Sequence, residues 1–152
     1  MLSAGDPAPD FSLQDQDGNT HSLADYAGRQ LLIYFYPRAD TPGCTRQSCS
    51  VRDHAADLAA KGIAAVGVSP DGPAAQKRFD DKFSLGFPLL CDTDRAMIDA
   101  YGAWGERTVF GKTGMGLIRS SFLVGADGTL RGAWSPVTPE DTVPNALAAA
   151  EG

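Results

Sequence analysis

The sequence lacks a long apolar run and lacks an excess of positive charge. Its longest apolar run, 31–36, has six residues, whereas a membrane-spanning helix needs about 20. Thirteen Lys and Arg against 19 Asp and Glu give a formal net charge of −6, which argues against binding to nucleic acid or anionic lipid. The first residues show no basic segment leading into an apolar stretch, so they do not resemble a targeting peptide. We therefore expect a cytoplasmic protein that binds neither membranes nor nucleic acid.

Cysteine and histidine are also scarce, with three and two residues respectively. Three thiols are too few, and odd in number, for the disulfide framework of a secreted protein. The sequence contains no Cys-x-x-Cys pair and no closely spaced histidines, so nothing resembles the ligand spacing of a zinc site. We expect neither a metal nor a cofactor, and each cysteine is then either buried or chemically active.

Short apolar segments alternate with helical patterns along the chain. This order predicts an α/β domain with a mixed central sheet flanked by helices, and the length of 152 residues favours a single domain over 1–152. Segments 11–14 and 21–23 flank a turn cluster and predict an N-terminal β-hairpin. Further strands are predicted at 31–36, 63–68, 89–91, 121–124 and 129–133, and helices at 45–61, 73–83, 94–101 and 145–150.

A glycine-rich stretch superficially resembles a phosphate-binding loop. Five residues separate Gly105 from Gly111, ahead of Lys112 and Thr113, whereas a P-loop has four residues between its glycines. The residues that follow are a poor helix start, although a P-loop leads directly into a helix. We interpret the stretch as a flexible surface loop.

The most informative residue is Cys44. The segment that contains it follows a predicted buried strand and begins the longest helical pattern. Thr41 is a candidate N-cap, and Pro42 lies at the first helical position. Cys44 then lies in the first turn, where unpaired backbone N–H groups favour a thiolate. The alternative is an inert buried cysteine, but Gly43 and Thr45 flank Cys44 rather than apolar residues. We favour a reactive thiol.

The helix alone does not suffice to ionise such a thiol. A helix dipole contributes about 0.3–1 kcal/mol to a charge at its end, and one pKa unit corresponds to about 1.36 kcal/mol. A free cysteine has a pKa of about 8.5, so ionisation at neutral pH needs a further cation. Arginine is always charged and donates two hydrogen bonds at once. The candidates are Arg38, Arg46, Arg52 and Arg119.

Cys49 follows Cys44 by five residues. On one regular helix their Cα atoms would lie about 8.6 Å apart and point about 140° away from each other. A disulfide needs Cα atoms within about 7 Å. The pair can therefore form a disulfide only if the helix unwinds locally, and spacing alone leaves open that Cys49 is a bystander.

These residues resemble a known family. The pattern Pro37-x-x-x-Thr41-x-x-Cys44 is similar to the active-site signature of the peroxiredoxins. The second cysteine five positions later resembles the subgroup called bacterioferritin comigratory protein, or peroxiredoxin Q. The resemblance covers most of the chain and continues through 8–13, 34–37, 66–69 and 119–123.

The resemblance implies a thioredoxin-like fold and reduction of hydrogen peroxide or alkyl hydroperoxides by a thiol. It makes Cys44 the peroxidatic cysteine and Cys49 the resolving cysteine. Thr41 would hydrogen-bond the thiolate and the peroxide, Pro37 would shield the pocket from water, and Arg119 would be the required cation. Thioredoxin, or glutaredoxin, would restore the disulfide, and the chain would act as a monomer or weak homodimer.

Two positions depart from the subgroup. Gln47 stands where a glutamate is common, which questions any proton-handling role there. Val51 stands where an aromatic residue is usual, so the packing beneath the unwinding helix is expected to differ.

Other residues and other functions remain as alternatives. Cys91 lies in an apolar run and is interpreted as a buried strand residue, with an alternative resolving thiol as its other role. His54 is expected at the surface, and His21 has no evident partner. The competing functions are a protein disulfide oxidoreductase, disfavoured by the missing Cys-x-x-Cys, and a non-enzymatic redox sensor.

Overall fold

The computed structural model describes residues 2–109 and 111–150. Its strands, in chain order, are β1 (Ser12–Gln14), β2 (Thr20–Ser22), β3 (Gln30–Phe35), β4 (Ile63–Ser69), β5 (Leu89–Cys91), β6 (Trp104–Val109), β7 (Lys112–Leu117), β8 (Ser120–Val124) and β9 (Leu130–Trp134). The α-helices are α1 (Pro42–Asp53), α2 (Ala55–Ala60), α3 (Pro73–Phe83), α4 (Ala96–Ala100) and α5 (Thr142–Ala149). Short 3₁₀ turns occur at Leu23–Tyr26 and Pro139–Asp141.

A mixed five-stranded sheet forms the centre of the fold, in the order β5-β4-β3-β8-β9. Strands β3, β4 and β5 are parallel, whereas β8 and β9 run antiparallel to their neighbours. Strand β3 lies in the middle and is buried along its whole length, as its unbroken apolar sequence predicts. Strands β1 and β2 form a separate antiparallel hairpin. The predicted α/β fold, mixed sheet and N-terminal hairpin are confirmed.

Hydrophobic clusters cover both faces of the sheet. Alternate residues of β3 point to opposite faces, so Leu32 and Tyr34 join one cluster whereas Leu31 and Ile33 join the other. The first cluster packs against α1, α2, α3 and α5, and the second includes α4. In the described parts of the chain, each helix is too short or too polar to span a membrane.

Two helix predictions need correction. The single helix predicted over 45–61 is interrupted at His54, which separates α1 from α2. The His54 backbone departs from helical geometry with φ −102° and ψ 16°, and its ring Nδ1 lies 2.8 Å from the Ser50 carbonyl oxygen. The last helix begins at Thr142, before Pro144, because proline is tolerated in a first helical turn.

The prediction of a flexible loop over the glycine-rich stretch is wrong. Strands β6 and β7 pair there as an antiparallel hairpin, with Glu106 opposite Met115 and Val109 opposite Lys112. Gly111 adopts a φ of +78° at the turn, a conformation that glycine reaches without strain. The absence of a helix after Gly114 agrees with the rejection of a P-loop.

Candidate active site

Cys44 lies at the start of α1, directly beyond the end of β3. Thr41 is the N-cap and Pro42 occupies the first turn, as predicted. The Thr41 hydroxyl makes no capping bond but donates to the Arg38 carbonyl oxygen over 2.8 Å. Cys44 has no exposed surface and joins the hydrophobic cluster beneath α1. The thiol is therefore enclosed by protein. It lies at the N-terminal end of α1, where the first-turn N–H groups have no partner within the helix.

Arg119 is the predicted cation that reaches this thiol. Its Nη2 lies 3.4 Å from the Cys44 Sγ, which places a positive charge beside the sulfur. Arg46 instead pairs with Glu140 at 3.0 Å. Arg52 donates to the Phe83 carbonyl oxygen over 2.6 Å and also pairs with Asp53. Arg38, the remaining candidate, is exposed.

Two glycines make room for the site. A Cβ at Gly43 would lie 3.0 Å from the Arg119 Nη2, so the absence of a side chain lets the guanidinium approach the first turn. A Cβ at Gly67 would lie 2.8 Å from the Tyr34 hydroxyl oxygen. Glycine at these positions therefore permits the close approach of Arg119 to the first turn of α1 and of Tyr34 to β4.

A second hydrogen bond holds the Arg119 guanidinium from its other side. Arg119 Nη1 donates to Gln47 Oε1 over 2.6 Å, and Gln47 Nε2 donates to the Thr142 Oγ1 over 2.9 Å. Neither Gln47 nor Thr142 has exposed surface. Sequence reasoning noted Gln47 only as a departure from the subgroup and missed Thr142, because nothing in the local sequence relates α5 to α1.

Tyr34 of β3 and Ser48 of α1 form a buried pair. Their hydroxyl oxygens are 2.8 Å apart, and neither residue has exposed surface. Burial raises the pKa of Tyr34 well above its ordinary value, so the phenol stays neutral and can exchange a hydrogen bond with Ser48. The pair was not recognised from the sequence, although Tyr34 belongs to the predicted central strand.

Cys49 lies on the same helix as Cys44, in a half-buried position. Both are free thiols, and the regular helix between them keeps their Cα atoms about 8.6 Å apart. Val51, in the last turn of α1, is buried in the cluster under the helix. Pro37 is half-buried just after β3. The structure thus brings Cys44 and Arg119 into contact and leaves Cys49 on the same helix as Cys44.

The loop between β3 and α1 is tied to neighbouring elements. The Ala39 N–H donates to Asp71 Oδ2 over 2.7 Å, and Lys82 Nζ pairs with Asp40 at 2.9 Å. Asp40 adopts a φ of +63°, which is uncommon for a residue other than glycine. These contacts from the β4–α3 region fix the loop that carries Thr41.

The remaining thiol and the histidines lie outside this cluster. Cys91 is buried on β5 as predicted, and burial, with the charges of Asp15 and Asp71, raises the pKa of its thiol to about 11. His54 is exposed. His21, for which no partner was evident, contacts Asp15 Oδ2 through Nε2 at 2.7 Å and the Tyr26 hydroxyl through Nδ1 at 2.9 Å. No group of three potential metal ligands is found among the described residues.

Comparisons with known proteins agree with this site. Residues 4–133 match the AhpC/TSA family. A putative peroxiredoxin of Mycobacterium tuberculosis is 51% identical over 129 residues, which cover 85% of this chain and 82% of that protein. Peroxiredoxin Bcp of Escherichia coli is 47% identical over 129 residues, which cover 85% and 83% of the two chains.

A solved structure gives the same fold. The bacterioferritin comigratory protein of Xanthomonas campestris, studied for its alkyl peroxide reduction activity, superposes with a TM-score of 0.87 and 31% identity. The match covers 96% of each chain. The mixed sheet with flanking helices is accordingly the thioredoxin-like fold of that protein.

Proposed function

Because the chain belongs to the AhpC/TSA family, as a peroxiredoxin of the bacterioferritin comigratory protein and peroxiredoxin Q type, it is a thiol-dependent peroxidase, and we propose that Cys44 is its peroxidatic cysteine. One observation carries this assignment: the Arg119 guanidinium lies 3.4 Å from the Cys44 sulfur at the first turn of α1. A guanidinium and a helix N-terminus both stabilise negative charge. They act on the thiolate before reaction and on the oxygen that departs during it.

The first step is a nucleophilic displacement on the peroxide. The Cys44 thiolate attacks the terminal oxygen of ROOH, an S–O bond forms and the O–O bond breaks. Cys44 becomes a sulfenic acid, and RO⁻ takes up a proton and leaves as water or an alcohol. Sulfur is oxidised by two electrons and the peroxide is reduced by two, so the step needs no metal or organic cofactor.

Thr41 and Pro37 complete the proposed site. The Thr41 hydroxyl donates its proton to the Arg38 carbonyl oxygen over 2.8 Å, so in this conformation it does not donate to the Cys44 thiolate, contrary to what the resemblance implied. Its oxygen keeps its lone pairs and can accept a hydrogen bond from the peroxide O–H. Pro37 has no N–H and lies half-buried just after β3. We assign it to shielding the thiolate and the sulfenic acid from water.

Cys49 is the proposed resolving cysteine. Its thiol attacks the Cys44 sulfenic sulfur, the S–S bond forms, and the sulfenic oxygen leaves as water. The helical separation of about 8.6 Å exceeds the reach of a disulfide, so the first turns of α1 unwind before this step. Cys49 is half-buried and lies on the same helix, which makes it the thiol that a local rearrangement of α1 brings to Cys44.

An external thiol reductant returns the enzyme to its starting state. We propose thioredoxin, or glutaredoxin, because a dithiol can reduce the Cys44–Cys49 disulfide by two successive exchanges. The substrates are hydrogen peroxide and alkyl hydroperoxides. We further propose a monomer or weak homodimer. Among the described residues, Met115 alone is a large apolar side chain exposed at the surface, and a stable interface would need a larger apolar patch.

The intact mass after one equivalent of hydrogen peroxide tests these assignments. The reduced protein is expected to lose two hydrogens and to yield a peptide in which Cys44 is linked to Cys49. Cys44→Ser should abolish rapid peroxide consumption. A linkage between Cys44 and Cys91 would instead make Cys91 the resolving thiol.

Cys49→Ser separates the two cysteine roles. This variant should consume one equivalent of peroxide at the wild-type rate, fail to cycle with thioredoxin, and accumulate over-oxidised Cys44. Cys91→Ser is the matched control, since its thiol is buried on β5, and it should cycle normally. Normal cycling by Cys49→Ser would show that the resolving assignment is wrong.

A further inference from the structure

A chain of hydrogen bonds links the catalytic arginine to the C-terminal helix. Arg119 Nη1 donates to Gln47 Oε1 over 2.6 Å, and Gln47 Nε2 donates to Thr142 Oγ1 over 2.9 Å. Thr142 Oγ1 then donates to the Thr138 carbonyl oxygen over 3.1 Å. Gln47 and Thr142 are fully buried, so water does not compete for the bond between them, whereas Arg119 is half-buried and Thr138 is exposed.

The direction of every bond in this chain is fixed by its two ends. A guanidinium can only donate, and a carbonyl oxygen can only accept. The Thr142 hydroxyl donates its proton to the Thr138 carbonyl oxygen, so it can only accept a hydrogen bond from the Gln47 amide. The Gln47 amide must therefore turn its NH₂ toward Thr142 and its oxygen toward Arg119.

We propose that Thr142 is a positioning residue for the peroxidase reaction, since it fixes the Gln47 amide and thereby holds the Arg119 guanidinium against the Cys44 sulfur. This inference rests on the proposed role of Cys44 and deepens it. The Thr142 hydroxyl bonds to Gln47 and Thr138, so its link to Arg119 runs through Gln47. This hydrogen-bonded relay from Thr142 through Gln47 to Arg119 lets α5 help to position the active-site arginine, although no residue of α5 belongs to the peroxiredoxin signature.

The same relay accounts for a neutral glutamine at position 47. A carboxylate could accept from Arg119 but could not donate to Thr142, whose hydroxyl would have to give up its bond to the Thr138 carbonyl oxygen in order to donate to the carboxylate. It would also form an ion pair with the guanidinium and draw its charge away from the sulfur. Gln47 holds Arg119 by a hydrogen bond and leaves its positive charge for Cys44. Glutamine at 47 and threonine at 142 thus form a matched pair.

Thr142→Val tests the relay, because valine keeps the shape of threonine and removes the hydroxyl. In a Cys49→Ser, Cys91→Ser background, the pH midpoint for alkylation of Cys44 by iodoacetamide should move to higher pH. In the otherwise unchanged protein, the second-order rate constant with hydrogen peroxide should fall about fivefold. Thr142→Ser restores the hydroxyl. It should return the alkylation midpoint to its wild-type pH and the rate constant to within about twofold of wild type.

Val143→Ala is the matched control for lost stability. Val143 is the next residue of α5, is fully buried in the cluster beneath α1, and is apolar. Its truncation should lower the melting temperature at least as much as Thr142→Val does, yet leave the alkylation midpoint and the peroxide rate constant close to wild type. A shift of midpoint in both variants would mean that α5 acts through packing and not through the hydroxyl.

The outcomes separate this inference from the function on which it rests. A wild-type protein that fails to consume peroxide through Cys44 overturns both. Active wild type together with a Thr142→Val variant of unchanged midpoint and rate overturns only the positioning role. A Thr142→Ser variant as impaired as Thr142→Val would do the same, because the hydroxyl would then not be the group that matters.

Discussion

Gly43 and Arg119 are in close contact at the start of α1: a Cβ at Gly43 would lie 3.0 Å from the Arg119 Nη2. Because Gln47 holds the same guanidinium at 2.6 Å, Arg119 has little freedom to yield. Gly43→Ala should therefore displace the guanidinium from Cys44. We expect the second-order rate constant for hydrogen peroxide to fall about tenfold, equivalent to about 1.4 kcal/mol of transition-state stabilisation. Stopped-flow measurement of reduced enzyme against peroxide gives this constant.

Gly114→Ala is the control for this substitution. Gly114 lies exposed on β7, and a Cβ there would meet no atom within 4 Å. Its rate constant should equal that of the wild type. An equal rate for Gly43→Ala would show that Arg119 accommodates the methyl group without leaving the sulfur.

The buried Tyr34–Ser48 pair should restrain the unwinding of α1. Tyr34→Phe or Ser48→Ala leaves one buried hydroxyl without its partner, at a cost of about 1–3 kcal/mol in the free energy of unfolding. The loss is confined to the folded helix, since the pair separates when the segment around Ser48 unwinds. Each single variant should therefore form the Cys44–Cys49 disulfide faster after peroxide addition, as followed by quenched mass spectrometry.

The double variant Tyr34→Phe, Ser48→Ala distinguishes the hydrogen bond from general loosening. With both hydroxyls removed, no buried group lacks a partner, and stability should return close to wild type. Urea unfolding of the four proteins gives the coupling energy. If the two single losses simply add in the double variant, the pair does not act as a unit.

The Cys91 thiol should be unreactive toward alkylating agents at neutral pH. Burial, with the charges of Asp15 and Asp71, raises the pKa of its thiol to about 11, so only a minute fraction is thiolate near pH 7, and the thiolate is the reactive form. In the folded protein, iodoacetamide should label Cys44 and leave Cys91 unlabelled, as peptide mapping will show. In urea, Cys91 should be labelled readily. Rapid labelling of Cys91 in the native protein at neutral pH would contradict the raised pKa of its thiol.

Asp15 should make the stability of the N-terminal hairpin depend on pH. Burial acts to raise the pKa of this carboxyl, but hydrogen bonds from His21 and from the N–H groups of Asp17 and Asn19 outweigh it, and the net pKa is lowered. A carboxyl with a lowered folded-state pKa contributes stability that is present above its unfolded value of about 3.9 and is lost as pH falls through the folded value.

Asp15→Asn tests this dependence. The variant should be less stable than wild type near neutral pH, and the gap should narrow below about pH 4 as Asp15 of the wild type takes up its proton. Urea unfolding at a series of pH values measures the gap. Asp53→Asn is a suitable control, because Asp53 is an exposed partner of Arg52 and should change stability little at any pH. A gap independent of pH would mean that Asp15 acts through shape alone.

Several features could be read from the sequence because they depend on neighbours along the chain. The run 31–36 predicted a buried strand, and the Thr41-Pro42 pair predicted a helix start that places Cys44 in its first turn. The helix predicted at 73–83 coincides with α3. The hairpin of β6 and β7 was missed because its glycines are typical of a loop. The two segments are strands because they pair with each other across the turn.

The sequence by itself determined the chemistry of this protein: a cysteine at a helix start, a second cysteine that helical geometry keeps out of reach, and the signature shared with the peroxiredoxins. The residues alone left four candidate arginines and the family resemblance favoured Arg119, whereas the tertiary structure shows that Arg119 contacts the sulfur. Only the tertiary structure paired Tyr34 with Ser48 and joined Gln47 to Thr142, 95 positions apart along the chain. The reason is physical, because local patterns fix dihedral angles and faces, whereas contacts between distant residues depend on how the packed layers align.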